Sequence, residues 1–256
     1  ISLIGKAISG LFVTLFGVAP IILLNGISYF LSAFTEMFIR IPPSSQQGNV
    51  VTVRSVMHDM KNAVTAIAAD PFVSMFVPAA LILNLIAAGP MYMILPFCLD
   101  KGFSVDFYGI LMAVETAGSL ICVLLLSVLK LSGTQRYYVL LYGFALSPIL
   151  YIIAYLTHSR VVMTVMFFLG CFTNTMGNAV FNASLTLALP EDNRGAIIGF
   201  VKAFSMGGCA LSSLVYGMLC DIFPIVPVFV VGTFTAIIPS VIVCLNRRTR
   251  EFVETH

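Results

Sequence analysis

The chain has 256 residues, of which 59% are hydrophobic and 9% are charged, and its mean hydropathy is +1.04. Soluble domains carry about 25% charged residues, so this composition excludes both a soluble globular domain and a disordered chain. The formal net charge of +2 gives no reason to expect a nucleic-acid partner, and the composition instead indicates several membrane-spanning helices.

Apolar runs long enough to cross a bilayer recur along the chain, separated by short polar or proline-containing turns. Residue 1 already lies inside such a run, so we expect the chain to be the C-terminal portion of a longer membrane protein. The third run contains Pro78, Gly89-Pro90 and Pro96, where we predict kinks because proline removes a backbone hydrogen bond. The eight predicted spans cover residues 1–18, 20–39, 70–98, 107–129, 137–156, 161–187, 196–220 and 225–245.

A single long polar stretch divides these spans. Residues 42–57 are rich in Ser, Gln, Gly and Pro and are predicted to form a linker, and residues 56–69 have the pattern of a short amphipathic helix on the membrane surface. The six spans that follow divide into three plus three, with Glu115 and Lys202 in the middle helices of the two triplets. This arrangement favours a pair of inverted three-helix repeats.

The basic residues are distributed asymmetrically between the two sides of the predicted membrane protein. Eight spans put both chain ends on one side, and that side holds nine of the thirteen Lys and Arg residues, whereas the loops of the other side hold two, Lys101 and Arg160. The remaining two, Lys6 and Lys202, lie within spans. Because cytoplasmic loops are enriched in Lys and Arg, we predict a multi-pass protein of the cell membrane whose C-terminus is cytoplasmic.

Small, polar and proline residues follow a recognisable order along nearly the whole chain. They are Gly5, Gly10, Asn25 to Ser32, Asp70-Pro71, Asn84, Pro90, Leu95-Pro96, Gly109, Gly118, Leu189-Pro190 to Arg194-Gly195, Gly199, Gly217 and Asp221. This order resembles the major facilitator superfamily of transporters, specifically its bacterial efflux branch related to macrolide and siderophore exporters. The chain departs from that pattern at Lys6, where the exporters usually have proline after glycine.

The resemblance implies that the chain begins in the fifth of twelve helices and lacks the N-terminal helices of the same protein. The domains would then be the last two helices of the N-terminal bundle (1–40), a cytoplasmic linker with an amphipathic helix (41–69), the C-terminal six-helix bundle (70–245) and a cytoplasmic tail (246–256). It also implies proton-coupled efflux of hydrophobic small molecules, with protons, substrate and the lipid bilayer as partners. The alternatives are a lipid or peptide flippase of the same fold and a non-transporting membrane scaffold or sensor.

Glu115 is the candidate for proton coupling. A carboxylate about eight residues into a span costs a few kcal/mol if charged, so such a group faces a cavity, finds a partner or stays protonated. Carrying a proton during transport is one interpretation, and a structural hydrogen bond to a neighbouring helix is the alternative. An ion pair with Lys202 is not favoured, because the two residues lie at different depths in the membrane.

Several polar residues within the spans are candidates to line a substrate cavity. Asn174, Asn178 and Asn182 are spaced by four and therefore share one face of a helix, where they either line the cavity or connect helices. Asn84 lies beside the Gly89-Pro90 kink, and Lys202 either lines the cavity or extends its ammonium to the membrane surface.

The remaining candidates lie in the cytoplasmic loops. Lys130, Arg136 and Arg194 are assigned to loop structure or gating by the resemblance. The three histidines lie outside the spans, the six cysteines are scattered, and the sequence contains no HExxH, GxSxG or phosphate-binding loop. We therefore expect neither an enzyme nor a metal site, and no cofactor.

Overall fold

A computed structural model describes residues 18–36, 73–188 and 194–255, with isolated positions at 38, 57, 61, 64, 65, 67 and 68. The predictions for residues 1–17, for Lys6, for most of the linker and surface helix between 39 and 72, and for the turn at 189–193 lie outside the described residues.

Every regular element in this part of the chain is an α-helix. The helices are α1 (Val18–Glu36), α2 (Val73–Tyr92), α3 (Ile94–Asp100), α4 (Val105–Val128), α5 (Gly133–Leu156), α6 (Arg160–Ala188), α7 (Arg194–Ile222), α8 (Ile225–Leu245) and α9 (Arg247–Thr255). The last five predicted spans coincide with α4 to α8 to within a few residues.

Five helices, α4 to α8, are long and apolar enough to cross a bilayer, and the bent pair α2–α3 makes six when it is counted as one span. Large apolar side chains such as Leu124, Val231 and Ile242 point outward, as expected where lipid replaces protein contacts. The described part of the chain is therefore all-helical, and the protein is a multi-pass membrane protein. The eight-span count and the three-plus-three repeat stay predictions.

The bend between α2 and α3 is 48° and follows a Gly89-Pro90 pair. Pro90 has no N–H, so the carbonyl of Ile86 loses its helical partner. The hydroxyl of Tyr216 on α7 donates to this carbonyl at 2.7 Å, and the N–H of Gly89 donates to Ser212 Oγ at 2.8 Å. A Cβ at residue 89 would overlap the Tyr216 ring, so the hinge needs glycine. Two side chains of α7 thus complete the backbone hydrogen bonds of the hinge in α2.

Replacing Tyr216 with Phe is expected to destabilise the protein by about 1–3 kcal/mol, because the carbonyl of Ile86 loses a partner that lipid cannot supply. Thermal unfolding of the full-length protein in detergent measures this cost. Tyr138→Phe is the matched control, since the Tyr138 ring is exposed on the surface of α5. Equal melting temperatures for the two variants would contradict the proposed role of this hydroxyl.

Helices α5 and α6 pack closely because both have glycine at their crossing. A Cβ on Gly143 would lie 2.5 Å from the backbone nitrogen of Gly177 and 2.8 Å from the carbonyl oxygen of Thr173. Similarly, a Cβ on Gly118 of α4 would lie 2.7 Å from the carbonyl oxygen of Phe168 on α6. Small residues at such crossings let helix backbones approach each other, which is how helices associate in lipid. Helix α6 therefore holds α4 and α5 together.

An aromatic cluster fills one end of the bundle, where α4, α6 and α8 begin. The ring of Phe97 on α3 lies 5.4 Å from Tyr155 and 5.4 Å from Phe229, and Phe167 on α6 lies 5.5 Å from Tyr151. We call the buried residues Phe97, Phe107, Leu111, Tyr151, Tyr155, Phe167 and Phe229 the far-end cluster.

Lys101, in the turn after α3, joins that turn to the C-terminus of α5. Its ammonium donates to the carbonyls of Tyr155 and Thr157 and lies 5.1 Å from the centre of the Phe97 ring. A cation at this position satisfies unpaired helix carbonyls and opposes the negative end of the helix dipole. Burial lowers the pKa of Lys101, and the charge of the neighbouring Asp100 acts in the opposite direction.

The opposite end of the bundle is covered by α9, which packs against α5 and α8. Its inner face places Val253 and Phe252 against Tyr137 and Leu140 of α5. Its exposed face carries two ion pairs at i, i+4 spacing, between Arg247 and Glu251 and between Arg250 and Glu254. The segment predicted as a tail is therefore a packed helix, and we call this end of the bundle the α9 end.

A central cavity as the candidate functional site

A cavity of about 980 Å³ lies between α2 and the helices α4 to α8. Its volume is within the range of small-molecule binding sites in proteins. The cavity has apolar walls that include Met91, Met112, Phe144 and Phe181. The polar residues that line it are Asn84, Tyr92, Glu115, Ser147, Tyr151, Tyr155, Asn174, Asn178, Asn182, Thr186, Lys202, Ser205, Thr233 and Ser240.

All six residues predicted for proton coupling or the substrate cavity line this one space. They reach it from four helices: Asn84 on α2, Glu115 on α4, the three asparagines on α6 and Lys202 on α7. Their common location is a geometric finding, whereas their roles stay predictions.

Glu115 lies in the wall of the cavity with only 6% of its surface exposed. The hydroxyl of Tyr151 on α5 donates a hydrogen bond to Glu115 Oε1 at 3.1 Å. A carboxylate at this depth is costly when it is charged, and a donated hydrogen bond stabilises the charged form. Glu115 therefore combines the two settings predicted as alternatives, a cavity wall and a bond to a neighbouring helix.

The three asparagines form a ladder along α6. Asn178 Nδ2 donates to both the carbonyl oxygen and Oδ1 of Asn174 at 2.9 Å, and Asn182 Nδ2 donates to the carbonyl oxygen of Asn178 at 2.7 Å. The hydroxyl of Thr186 continues the pattern by donating to the carbonyl oxygen of Asn182. These bonds run within α6, so among the described residues the hydrogen bonds of the ladder do not connect helices. Asn178 and Asn182 also line the cavity, and their Nδ2 atoms are the donors in these bonds.

Lys202 and Asn84 reach the cavity from α7 and α2. The Lys202 side chain is exposed, and within the described part of the chain both ion pairs belong to α9, so Lys202 is not paired with Glu115. Asn84 Oδ1 lies 3.8 Å from the thiol of Cys209 on α7, which is within range of a weak S–H hydrogen bond. The cavity thus holds one buried acid, one exposed base and several amides.

Sequence reasoning missed the hydroxyl groups that α5 and α8 contribute to the cavity. Ser147, Tyr151 and Tyr155 come from α5, and Thr233 and Ser240 come from α8. Ser147, Tyr151 and Tyr155 are spaced by four, as the asparagines are, and Thr233 and Ser240 are seven apart, so each set shares one helix face. This spacing, together with the position of Ser147 beside Pro148, was the signal that could have identified the α5 hydroxyls.

Of the loop candidates, Lys130 and Arg136 do not line the cavity. Lys130 is exposed after the end of α4, and Arg136 Nε donates to the carbonyl oxygen of Leu131 at 3.3 Å. Arg194 begins α7, and its side chain lies outside the described atoms. The structure therefore leaves a gating role for these three residues as a prediction.

Comparison with known proteins identifies the family. The chain matches the family model described as Major Facilitator Superfamily over residues 1–213, which is most of its length. No curated protein and no solved structure matches the chain.

Proposed function

The chain belongs to the Major Facilitator Superfamily, a class of secondary transporters and not of enzymes, and from this premise we propose that it is part of a proton-coupled exporter of hydrophobic small molecules. We propose macrolide-like or siderophore-like compounds as its substrates. We also propose that other helices of the same protein pack with the segment before residue 41 to form an N-terminal bundle. Both the loop at 129–132 and α9 would face the cytoplasm of a bacterial cell.

The buried carboxylate in the cavity wall is the observation that carries this proposal. Glu115 is 6% exposed, lines the cavity and accepts a hydrogen bond from Tyr151. An ionisable group inside a membrane bundle is expensive, and its presence there is explained when it exchanges a proton with a water-filled path. We propose that Glu115 carries the coupling proton.

The cavity walls support a hydrophobic substrate with hydrogen-bonding groups. Apolar contacts would come from Met91, Met112, Phe144 and Phe181, and methionine side chains adapt to irregular shapes. Polar groups of the substrate would meet the asparagine ladder and Lys202. The substrate would bind between two bundles that rock about the site. The bend between α2 and α3 is one place where the angle between helices could change during this motion.

A transport assay with the full-length protein tests this proposal. We expect everted membrane vesicles to accumulate a macrolide when a proton gradient is present. Accumulation should stop when a protonophore collapses the gradient. Vesicles that lack the protein are the control. Accumulation that is indifferent to the gradient would contradict proton coupling, lipid translocation without drug accumulation would favour a flippase, and neither activity would favour a scaffold.

A further inference from the structure

We infer that Tyr151 is a positioning residue for Glu115, and that its hydroxyl sets the pH at which the Glu115 carboxylate loses its proton. The inference rests on the proposed role of Glu115 as the proton carrier. It goes beyond that role because it assigns the tuning of the proton to a second residue on another helix.

The geometry gives Tyr151 a fixed position that does not depend on Glu115. The centre of its ring lies 5.5 Å from that of Phe167, edge-on, and 6.2 Å from that of Tyr155, stacked. Only 7% of the surface of Tyr151 is exposed. A side chain held by packing presents its hydroxyl in one place, so the donor is already aligned when the carboxylate ionises. The ring is therefore the fixed partner, and the carboxylate of Glu115 is the group that it orients.

The direction of the hydrogen bond determines its effect. A phenol donates its proton to a carboxylate, and a bond donated to the charged form favours that form. The Tyr151 hydroxyl lies 3.1 Å from Glu115 Oε1, which is within hydrogen-bonding range. Loss of this hydroxyl should make Glu115 hold its proton to higher pH.

Other titratable groups share a cluster, a cavity or an electrostatic interaction with Glu115 or Tyr151, and they form the background against which Tyr151 acts. Tyr155 on α5 interacts electrostatically with Glu115, and Cys171 on α6 interacts with Tyr151. Cys98 of α3 belongs to the same buried cluster as Tyr151 and Tyr155, and Lys202 of α7 lines the same cavity. Because these groups stay in place when Tyr151 is changed to Phe, that variant isolates the contribution of one hydroxyl.

Infrared titration of the full-length protein in lipid tests the inference. The carbonyl stretch of a protonated carboxyl group is followed against pH, and the signal of Glu115 is identified as the one missing from Glu115→Gln. We expect the midpoint of this signal to rise by about one to two pH units in Tyr151→Phe, the shift expected when a hydrogen bond to a charged group is lost. A fluorinated tyrosine at position 151 is a stronger donor and should move the midpoint to lower pH.

Tyr216→Phe is the matched control, because it removes a hydroxyl that donates to the Ile86 carbonyl and not to Glu115. It should leave the midpoint where it is. A wild-type midpoint in Tyr151→Phe, or a shift in the same direction with fluorinated tyrosine, would overturn the inference. Transport by Glu115→Gln would instead overturn the proposed role of Glu115 as the proton carrier, and the infrared midpoints would still decide the role of Tyr151.

Discussion

Replacement of Glu115 with Gln is expected to reduce gradient-driven transport to the level of vesicles without the protein. Gln has nearly the same shape and keeps an oxygen that can accept from Tyr151, but it cannot bind or release a proton. The change in stability should stay within about 1 kcal/mol, because a neutral acceptor replaces a charged one in the same place. Drug accumulation in everted vesicles and thermal unfolding of the purified full-length protein measure the two effects separately.

Glu251→Gln provides the matched control for this experiment. Glu251 lies on the exposed face of α9, where it pairs with Arg247 at 2.7 Å, and an exposed pair of this kind contributes about 0–1 kcal/mol. Transport should therefore remain at the wild-type level in this variant. Wild-type transport by Glu115→Gln would dismiss Glu115 as the proton carrier and leave it a structural role in the contact between α4 and α5.

The parts of the site that could be predicted from the sequence are those whose signal is local. Asn174, Asn178 and Asn182 are four residues apart, and that spacing alone places them on one helix face. Glu115 was identifiable because a carboxylate in an apolar run has few favourable environments. Neither argument needs any knowledge of which helices are neighbours.

The partners of these residues could not be predicted, because they depend on how distant helices pack. Tyr151 is 36 residues from Glu115, and their contact exists because α4 and α5 both pack on α6. The bonds from Ser212 and Tyr216 to the hinge in α2 span more than 120 residues. No spacing within a single segment carries this information.

The prolines of the third predicted span did not by themselves show where that span bends. The sequence predicts kinks at Pro78, Gly89-Pro90 and Pro96, and the bend of 48° between α2 and α3 follows the middle pair. Pro78 lies inside α2, and Pro96 lies in the first turn of α3, where helix N–H groups have no partner to lose. The first-turn position of Pro96 thus explains why it does not interrupt α3, whereas the sequence does not separate Pro78 from Pro90, since both lie inside α2.

The cytoplasmic tail predicted at 246–256 contains the helix α9. Its apolar residues Phe252 and Val253 follow Thr249 at helical spacing, and all three face the bundle in α9. Nine residues are too few for a helix to be stable alone in water, so packing against α5 and α8 stabilises α9. The helical spacing of these residues is visible in the sequence, but the surface of α5 and α8 against which they pack is not.

Gly143→Leu is expected to have the largest effect on assembly of the fold. A Cβ at this position would lie 2.5 Å from the backbone nitrogen of Gly177, which is closer than real Cβ atoms come to their neighbours, and backbone cannot rotate away as a side chain can. The helices α5 and α6 must then separate, which removes the closest contact between them. Gly143→Ala should cost about 1–3 kcal/mol by overpacking, and the leucine should cost more and leave little folded protein.

Gly217→Leu is the control with the same chemical change, because a Cβ at Gly217 on α7 meets nothing within 4 Å. It should fold as well as the wild type, since leucine also favours a helix more than glycine does, by about 0.5–1 kcal/mol. Size-exclusion profiles and melting temperatures of the detergent-solubilised full-length protein distinguish the two variants. If Gly143→Leu melted at the same temperature as Gly217→Leu, the crossing of α5 and α6 would have to be looser than the structure describes. The hydrogen bond between Tyr151 and Glu115 would then also be in doubt, because the two residues come together only when α4 and α5 both pack against α6.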